Sequence, residues 1–151
     1  LEHGTWSVLK HMYPQADIPV VQVSLDMRRS AAEHYALGRA LARVRHDNIL
    51  VMGSGNIVHN LPAFFHAASP EPAPWVAAFD ELIVTSAVNG HDKAIAYRAL
   101  PDAEVAAPDW EHFAPVFYAL AAQREGERGH VFNRHYFPGI SMTSIAFGLP
   151  A

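Results

Sequence analysis

The sequence holds ten histidines against 11 lysines and arginines, and no cysteine. Imidazole titrates near neutrality, so this supply points to acid/base or metal-ligand chemistry, while the missing thiols remove disulfides, thiolate metal sites and cysteine nucleophiles. Two stretches have the spacing to use it. In GSGNIVHNLP, residues 53–62, His59 follows an apolar run and a small, flexible loop and stands beside Asn60. An imidazole at the mouth of a sheet suits a general acid/base. Taken alone, such a residue is more often a half-buried loop histidine bonded to backbone. GSGN opens like a dinucleotide fingerprint, but the third glycine is missing and Pro62 interrupts the helix that should receive a pyrophosphate. Ser54 has Met52 and Asn56 where a nucleophile elbow needs glycines, which leaves a simple Ser54 and His59 pair as the one hydrolase arrangement still open.

The second stretch is PDWEHFAPVFYAL, residues 108–120. His112 falls in the first turn of an expected helix with Asp109 as its N-cap. The positive end of the dipole there disfavours protonation and keeps the ring available as a ligand. Glu111 competes, because a carboxylate also binds hard metals; successive helical residues point about 100° apart, so one of the two faces a site. His3, in EHGTW, precedes a glycine that lets backbone approach a ligand closely. His11, His34, His46, His91 and His130 fall on polar faces or loops. His66 and His135, each flanked by aromatics, either line a pocket or pack. The three tryptophans read as core and pocket wall, since no basic groove accompanies them.

These residues need elements to hold them. Residues 5–13 read as a short helix, capped by Thr5 or Ser7 and stopped by Pro14. IPVVQVSLD, 18–26, reads as a strand. Residues 30–48 read as an amphipathic helix opened by a capping box of Ser30 and Glu33, with Arg45 and His46 at the end that favours cations. ILVM, 49–52, reads as a strand buried on both faces. Strand, helix, strand makes a βαβ crossover, which predicts an α/β fold with a mixed, mainly parallel sheet flanked by helices. Ligands bind at the carboxyl ends of such strands, and GSGNIVHN lies at one. Further helices are expected at 74–88, 92–99 and from 110 onwards, with 100–109 a loop. One or two closing strands are expected around Pro138-Gly139.

Composition narrows the partners. A chain of 151 residues, half of them apolar, fits one domain with a core. Its formal charge of -4 gives no basic stripe for a nucleic-acid backbone. No apolar run approaches the ~20 residues of a membrane span, and the chain reads as soluble and cytoplasmic. It opens on Leu1 rather than methionine, which suggests that further chain precedes it.

EHGTWSVLKHMYPQADIPVVQVSLD, GSGNIVHNLP, PWVAAFDELI and PDWEHFAPVFYAL together resemble the LigB-type class III extradiol ring-cleavage dioxygenases, in their 4,5-DOPA extradiol dioxygenase branch. The likeness runs along nearly the whole chain but covers only the C-terminal part of such an enzyme. It implies that residues 1–151 are the C-terminal portion of a single catalytic α/β domain, whose N-terminal segment carries two metal-binding histidines in HGSP and S-x-HW motifs absent here. The resemblance implies insertion of both atoms of O2 into a DOPA-like catechol at a non-haem metal, Fe2+, with Zn2+ able to occupy the same site. His59 would be the acid/base residue and His112 the third metal ligand, with Glu111 in reserve because the wider superfamily uses a carboxylate. His3 and Asn60 would contact substrate. Glu2 replaces the usual aspartate before His-Gly, and PAFFHAASPEPAP differs in its polar residues, which leaves the substrate open. Expected partners are the catechol, O2 and the N-terminal segment, with homo-oligomer formation left open. Two rivals stand beside this reading: a metal-independent Ser/His hydrolase and a non-catalytic, truncated assembly module.

Overall fold

A computed structural model describes residues 3–150, His3 through its backbone alone. The helices form largely where the sequence asks for them. α1 spans His3–Met12, two residues before the expected start. α2, Ala31–Leu41, opens with the capping box: Ser30 Oγ accepts from the Glu33 amide and the Glu33 carboxylate accepts from the Ser30 amide. Beyond Leu41 the helix tightens into a 3-10 turn, Ala42–Asp47, and ends at Asn48 with a left-handed φ of 58°. Arg45, expected to interact with the helix dipole, instead pairs with Glu127 at 2.7 Å. α3 is the short Leu61–Phe65, and α4, Pro74–Asn89, begins on a proline whose missing N–H costs nothing at a first turn.

The C-terminal half is more broken than the sequence suggests. The expected 92–99 helix is α5, Asp92–Ile95, followed by a 3-10 turn at Tyr97–Ala99. α6, Ala103–Ala106, forms inside the stretch expected to be loop. The helix expected from 110 splits at Pro115 into a 3-10 turn, Trp110–His112, and α7, Val116–Ala121. A proline fixes φ and lacks a donor, so it starts a helix more readily than it sits inside one. Asp109 occupies the cap position without a capping side-chain bond. The closing strands are four: β1 Gly129–Phe132 pairs antiparallel with β4 Ser144–Phe147, and β2 Tyr136–Phe137 pairs with β3 Ile140–Ser141 across the Pro138-Gly139 turn.

The structure does not confirm the mainly parallel sheet. Mixed helix and strand is observed, but among the described residues both sheets are two-stranded and antiparallel. Residues 18–24 and 49–54 carry no strand assignment and form no βαβ unit. Most of their apolar side chains lie in solvent, Val21 at 88 % exposure and Leu50 at 61 %, with Val51 partly buried. A strand needs a second strand alongside it, and among the described residues neither segment pairs with one.

The core lies where α4 meets the C-terminal half. Val76, Phe79 and Ile83 of α4 pack with Tyr97, Phe113, Phe117 and Leu120, all buried. Phe113 and Tyr97 meet edge to face with centroids 4.8 Å apart, and Trp110 stacks on Tyr97 at 5.9 Å. This aromatic cluster fixes the turn that carries His112. No described helix is long and apolar enough to cross a membrane.

Candidate functional site

His59 is held from both sides of its backbone. Its N–H donates to the Ala106 carbonyl at 2.8 Å, and on the other side it forms an antiparallel bridge with Ile140. Ser141 N–H donates to the Val58 carbonyl at 3.1 Å and Asn60 N–H to the Gly139 carbonyl at 2.8 Å. The buried Ser141 hydroxyl also accepts from the Val58 amide at 3.1 Å. Residues 58–60 thus run antiparallel beside β3, joined to it by the isolated His59–Ile140 bridge.

Behind the hairpin stands Asp80 of α4, fully buried. Its Oδ2 accepts from the Tyr136 hydroxyl at 3.0 Å, the Thr143 hydroxyl at 2.9 Å and Arg134 at 3.3 Å. One carboxylate therefore pins both arms of the hairpin to α4. The sequence offered one clue to this residue: an acid in the middle of the apolar run WVAAFDELIV.

The loop before His59 explains its glycines. Asn56 N–H donates to the His112 carbonyl at 2.8 Å. A Cβ on Gly55 would collide with that same carbonyl, and one on Gly53 with the Pro115 carbonyl. Gly53 and Gly55 thus leave GSGN free to lie against the backbone of 112–115. It cradles a turn of the protein rather than a phosphate.

The two turns bring His59 and His112 together. Their rings stack with centroids 3.8 Å apart and planes 14° from parallel, each half-buried. Burial lowers the His59 pKa below its ordinary 6.5, the neighbouring His112 charge lowers it further, and Glu111 and Asp109 pull the other way. His59 is therefore held neutral, able to accept a proton. Glu111 is exposed beside the pair. The dipole expected to act on His112 shrinks to that of a three-residue turn, so burial and contact, rather than a helix end, shape this site.

Two imidazoles bonded to one ion splay outward from it, whereas these rings stand face to face. The pair fits one ligand and one proton-transfer group better than a two-nitrogen clamp. Among the described residues no three histidine, aspartate or glutamate side chains converge as a complete cation site. A half-buried imidazole beside a carboxylate-bearing turn remains a donor set suited to a borderline divalent metal.

The other candidates separate. Asn60 uses its side chain on backbone: Oδ1 caps α3 by accepting from Ala63 N–H at 2.9 Å, and the amide nitrogen donates to the Val105 carbonyl at 2.7 Å. The His3 side chain lies outside the described residues. Ser54 donates its hydroxyl to the Gly4 carbonyl at 3.1 Å rather than engaging His59. His66 bonds its own turn at Pro62, and His135 rests exposed against the Phe137 ring at 4.7 Å. His34, expected on a polar face, is fully buried with Nδ1 3.0 Å from the Tyr118 hydroxyl.

Comparison with known proteins places this geometry in context. The family described as the catalytic LigB subunit of aromatic ring-opening dioxygenase matches residues 1–148. A 4,5-DOPA dioxygenase extradiol of Beta vulgaris is 35% identical over 147 residues, covering 93% of this chain and 53% of that protein. One of Escherichia coli K12 is 37% identical over 126 residues, covering 80% of this chain and 46% of its own length. The chain thus spans about half the length of the curated relatives it matches. A crystal structure of an uncharacterized Escherichia coli K12 protein superposes with a TM-score of 0.88 at 34% identity, over 96% of this chain and 62% of that one.

Proposed function

The chain belongs to the family of the catalytic LigB subunit of aromatic ring-opening dioxygenase, and from that premise we propose that it furnishes the proton-transfer side of an extradiol centre that opens a DOPA-like catechol with both atoms of O2. The observation that carries this reading is the stacked His59 and His112 pair, fixed by two independent sets of backbone bonds.

In this reading His59 is the base that removes a catechol hydroxyl proton and returns it later in the reaction. Its depressed pKa keeps the acceptor form populated at neutral pH. His112 is a metal ligand, with Glu111 the reserve. The metal, Fe2+ with Zn2+ able to take its place, supplies when bound a Lewis acid with open positions that lowers the catechol pKa. Asn60 positions His59 through its backbone bonds, and substrate contact falls to whatever capacity its amide retains. His3, carried over from the resemblance, contacts substrate in this reading.

The remaining ligands are proposed to come from an N-terminal segment of the same enzyme. The solvent-exposed Val21, Val23, Ile49 and Leu50 support this, because they are strand-forming residues without strand partners among the described residues. The test adds DOPA or another catechol to the full-length, Fe2+-loaded protein. O2 uptake matched by a ring-opened aldehyde acid, and abolished by a chelator, is the expected result. Chelator-insensitive activity blocked by a serine-directed reagent would instead support the Ser54 hydrolase. An intact reading frame without the upstream histidines would support the assembly module.

A further inference from the structure

The β2–β3 hairpin does more than hold His59. Residues directly opposite one another across an antiparallel ladder point to the same face. Phe137 pairs with Ile140, and Ile140 bridges to His59, so Phe137, Ile140 and His59 share one face. Tyr136, Ser141 and Val58 form the other face, turned toward Asp80 and the core. At a strand spacing of about 4.8 Å, Phe137 stands roughly 10 Å from His59, two strands along.

On that side a groove of about 390 Å³ opens, lined by Phe64, Ala67, Ala68, Phe137 and Pro138, with Ser69 its one polar side chain and no charged residue in its wall. Phe64 and Phe137 meet edge to face with centroids 6.3 Å apart. Phe64 belongs to α3, the helix that Asn60 caps, so the groove wall begins one turn after His59. Phe137 is 38 % exposed, a large ring left in solvent next to the site.

We propose that this groove receives the ring substituent of the catechol, and that it selects an uncharged, apolar chain of a few carbons over the amino-acid side chain of DOPA. A zwitterionic substituent placed there would lose hydration of its ammonium and carboxylate against rings and methyl groups that offer neither charge a partner. An alkyl chain would bury apolar surface on both. The inference rests on the catechol reading above and replaces its DOPA-like side chain with an uncharged, apolar ring substituent.

The test measures the affinity of the full-length, metal-loaded protein under anaerobic conditions for catechol, 4-methylcatechol, 4-butylcatechol and L-DOPA. Affinity should rise about two- to four-fold per added methylene, and L-DOPA should bind no tighter than catechol. Phe137→Asp, a change at an exposed ring, should flatten the alkyl series; Ala67→Asp, on the opposite exposed wall, should do the same independently. A flat series in the wild type, tighter binding of L-DOPA than of 4-butylcatechol, or an alkyl series unchanged in both variants overturns the inference and leaves the catechol reading standing. Failure of every ligand, catechol included, overturns that reading and this inference with it.

Discussion

His59 and His112 stand face to face, their rings 3.8 Å apart and 14° from parallel, although 53 positions separate them in the sequence. At that distance a charge on His112 disfavours protonation of His59. The arrangement suits a division of labour, one ring toward metal and one toward protons.

That division is separable by mutation in the metal-loaded, full-length enzyme. His59→Ala should keep metal stoichiometry and catechol binding while lowering kcat by about 100- to 10,000-fold, the usual loss for a positioned proton-transfer group. His112→Ala should lose metal and activity together. Metal analysis beside turnover decides the matter, and metal lost from His59→Ala but kept in His112→Ala would exchange the two roles.

The glycine loop predicts a packing effect on chemistry. In Gly55→Ala the new methyl group meets the His112 carbonyl, which already accepts from Asn56. The neighbour is backbone and cannot swing away, so the loop and the 110–112 turn must part. The cost should be about 1–3 kcal/mol of stability, measured by urea unfolding, with kcat reduced as the two rings separate. Wild-type stability and turnover in Gly55→Ala would show that the close approach is not needed.

Asp80 offers a third test, through structure alone. Removing its carboxylate in Asp80→Ala leaves the Tyr136 and Thr143 hydroxyls and Arg134 facing a buried void. Arg134 is itself partly exposed and can reach water or Glu81, so the loss should be on the order of 3 kcal/mol rather than the most that a buried ion pair can cost. The hairpin should loosen first. Faster hydrogen exchange at the Ser141 and Asn60 amides, which bond residues 58 and 139, would report it. Unchanged exchange there would mean that the hairpin is held from elsewhere.

Particular residues show how far the sequence could be read. Ser30 and Glu33 carry their geometry locally, so the capping box was legible three residues at a time. His59 and His112 stood out by motif, and their contact depends on chain that returns through Ile140 and Asn56. The strands expected at 18–26 and 49–52 failed for a physical reason: periodicity reports that a segment suits a sheet, and pairing requires a second segment. Val21, at 88 % exposure, still has the side chain of a buried strand. Pro115 is the visible mark of the broken helix, lying inside a stretch expected to run as one helix from 110. Asp80 and His34 were missed because a buried polar group declares itself only through partners distant in sequence, Tyr136 and Tyr118.

His34 supplies the last prediction, on pH. Burial lowers its pKa below 6.5, and the backbone of Asp26, which raises it most, does not cancel that effect even with the charges of Asp26 and Glu33. Its Nδ1 sits 3.0 Å from the Tyr118 hydroxyl, and its Nε2 is buried as well. A histidine whose folded pKa lies below its unfolded value binds more protons when unfolded, so stability rises with pH across that window and falls as pH drops below about 6.5. His59 and His91 are shifted in the same direction and add to the slope. The lowered carboxylates Glu33, Glu81 and Glu127 lose their contributions only below their ordinary value of 4.5, which keeps the two regimes apart. The melting temperature should therefore decline from pH 7.5 to 5.5. His34→Gln keeps a hydrogen-bonding group near Tyr118 but cannot titrate, so it should make that decline shallower even if it is less stable at every pH. A slope identical to the wild type would mean that His34 takes up no additional proton on unfolding, and that the buried ring is already charged or still reached by water.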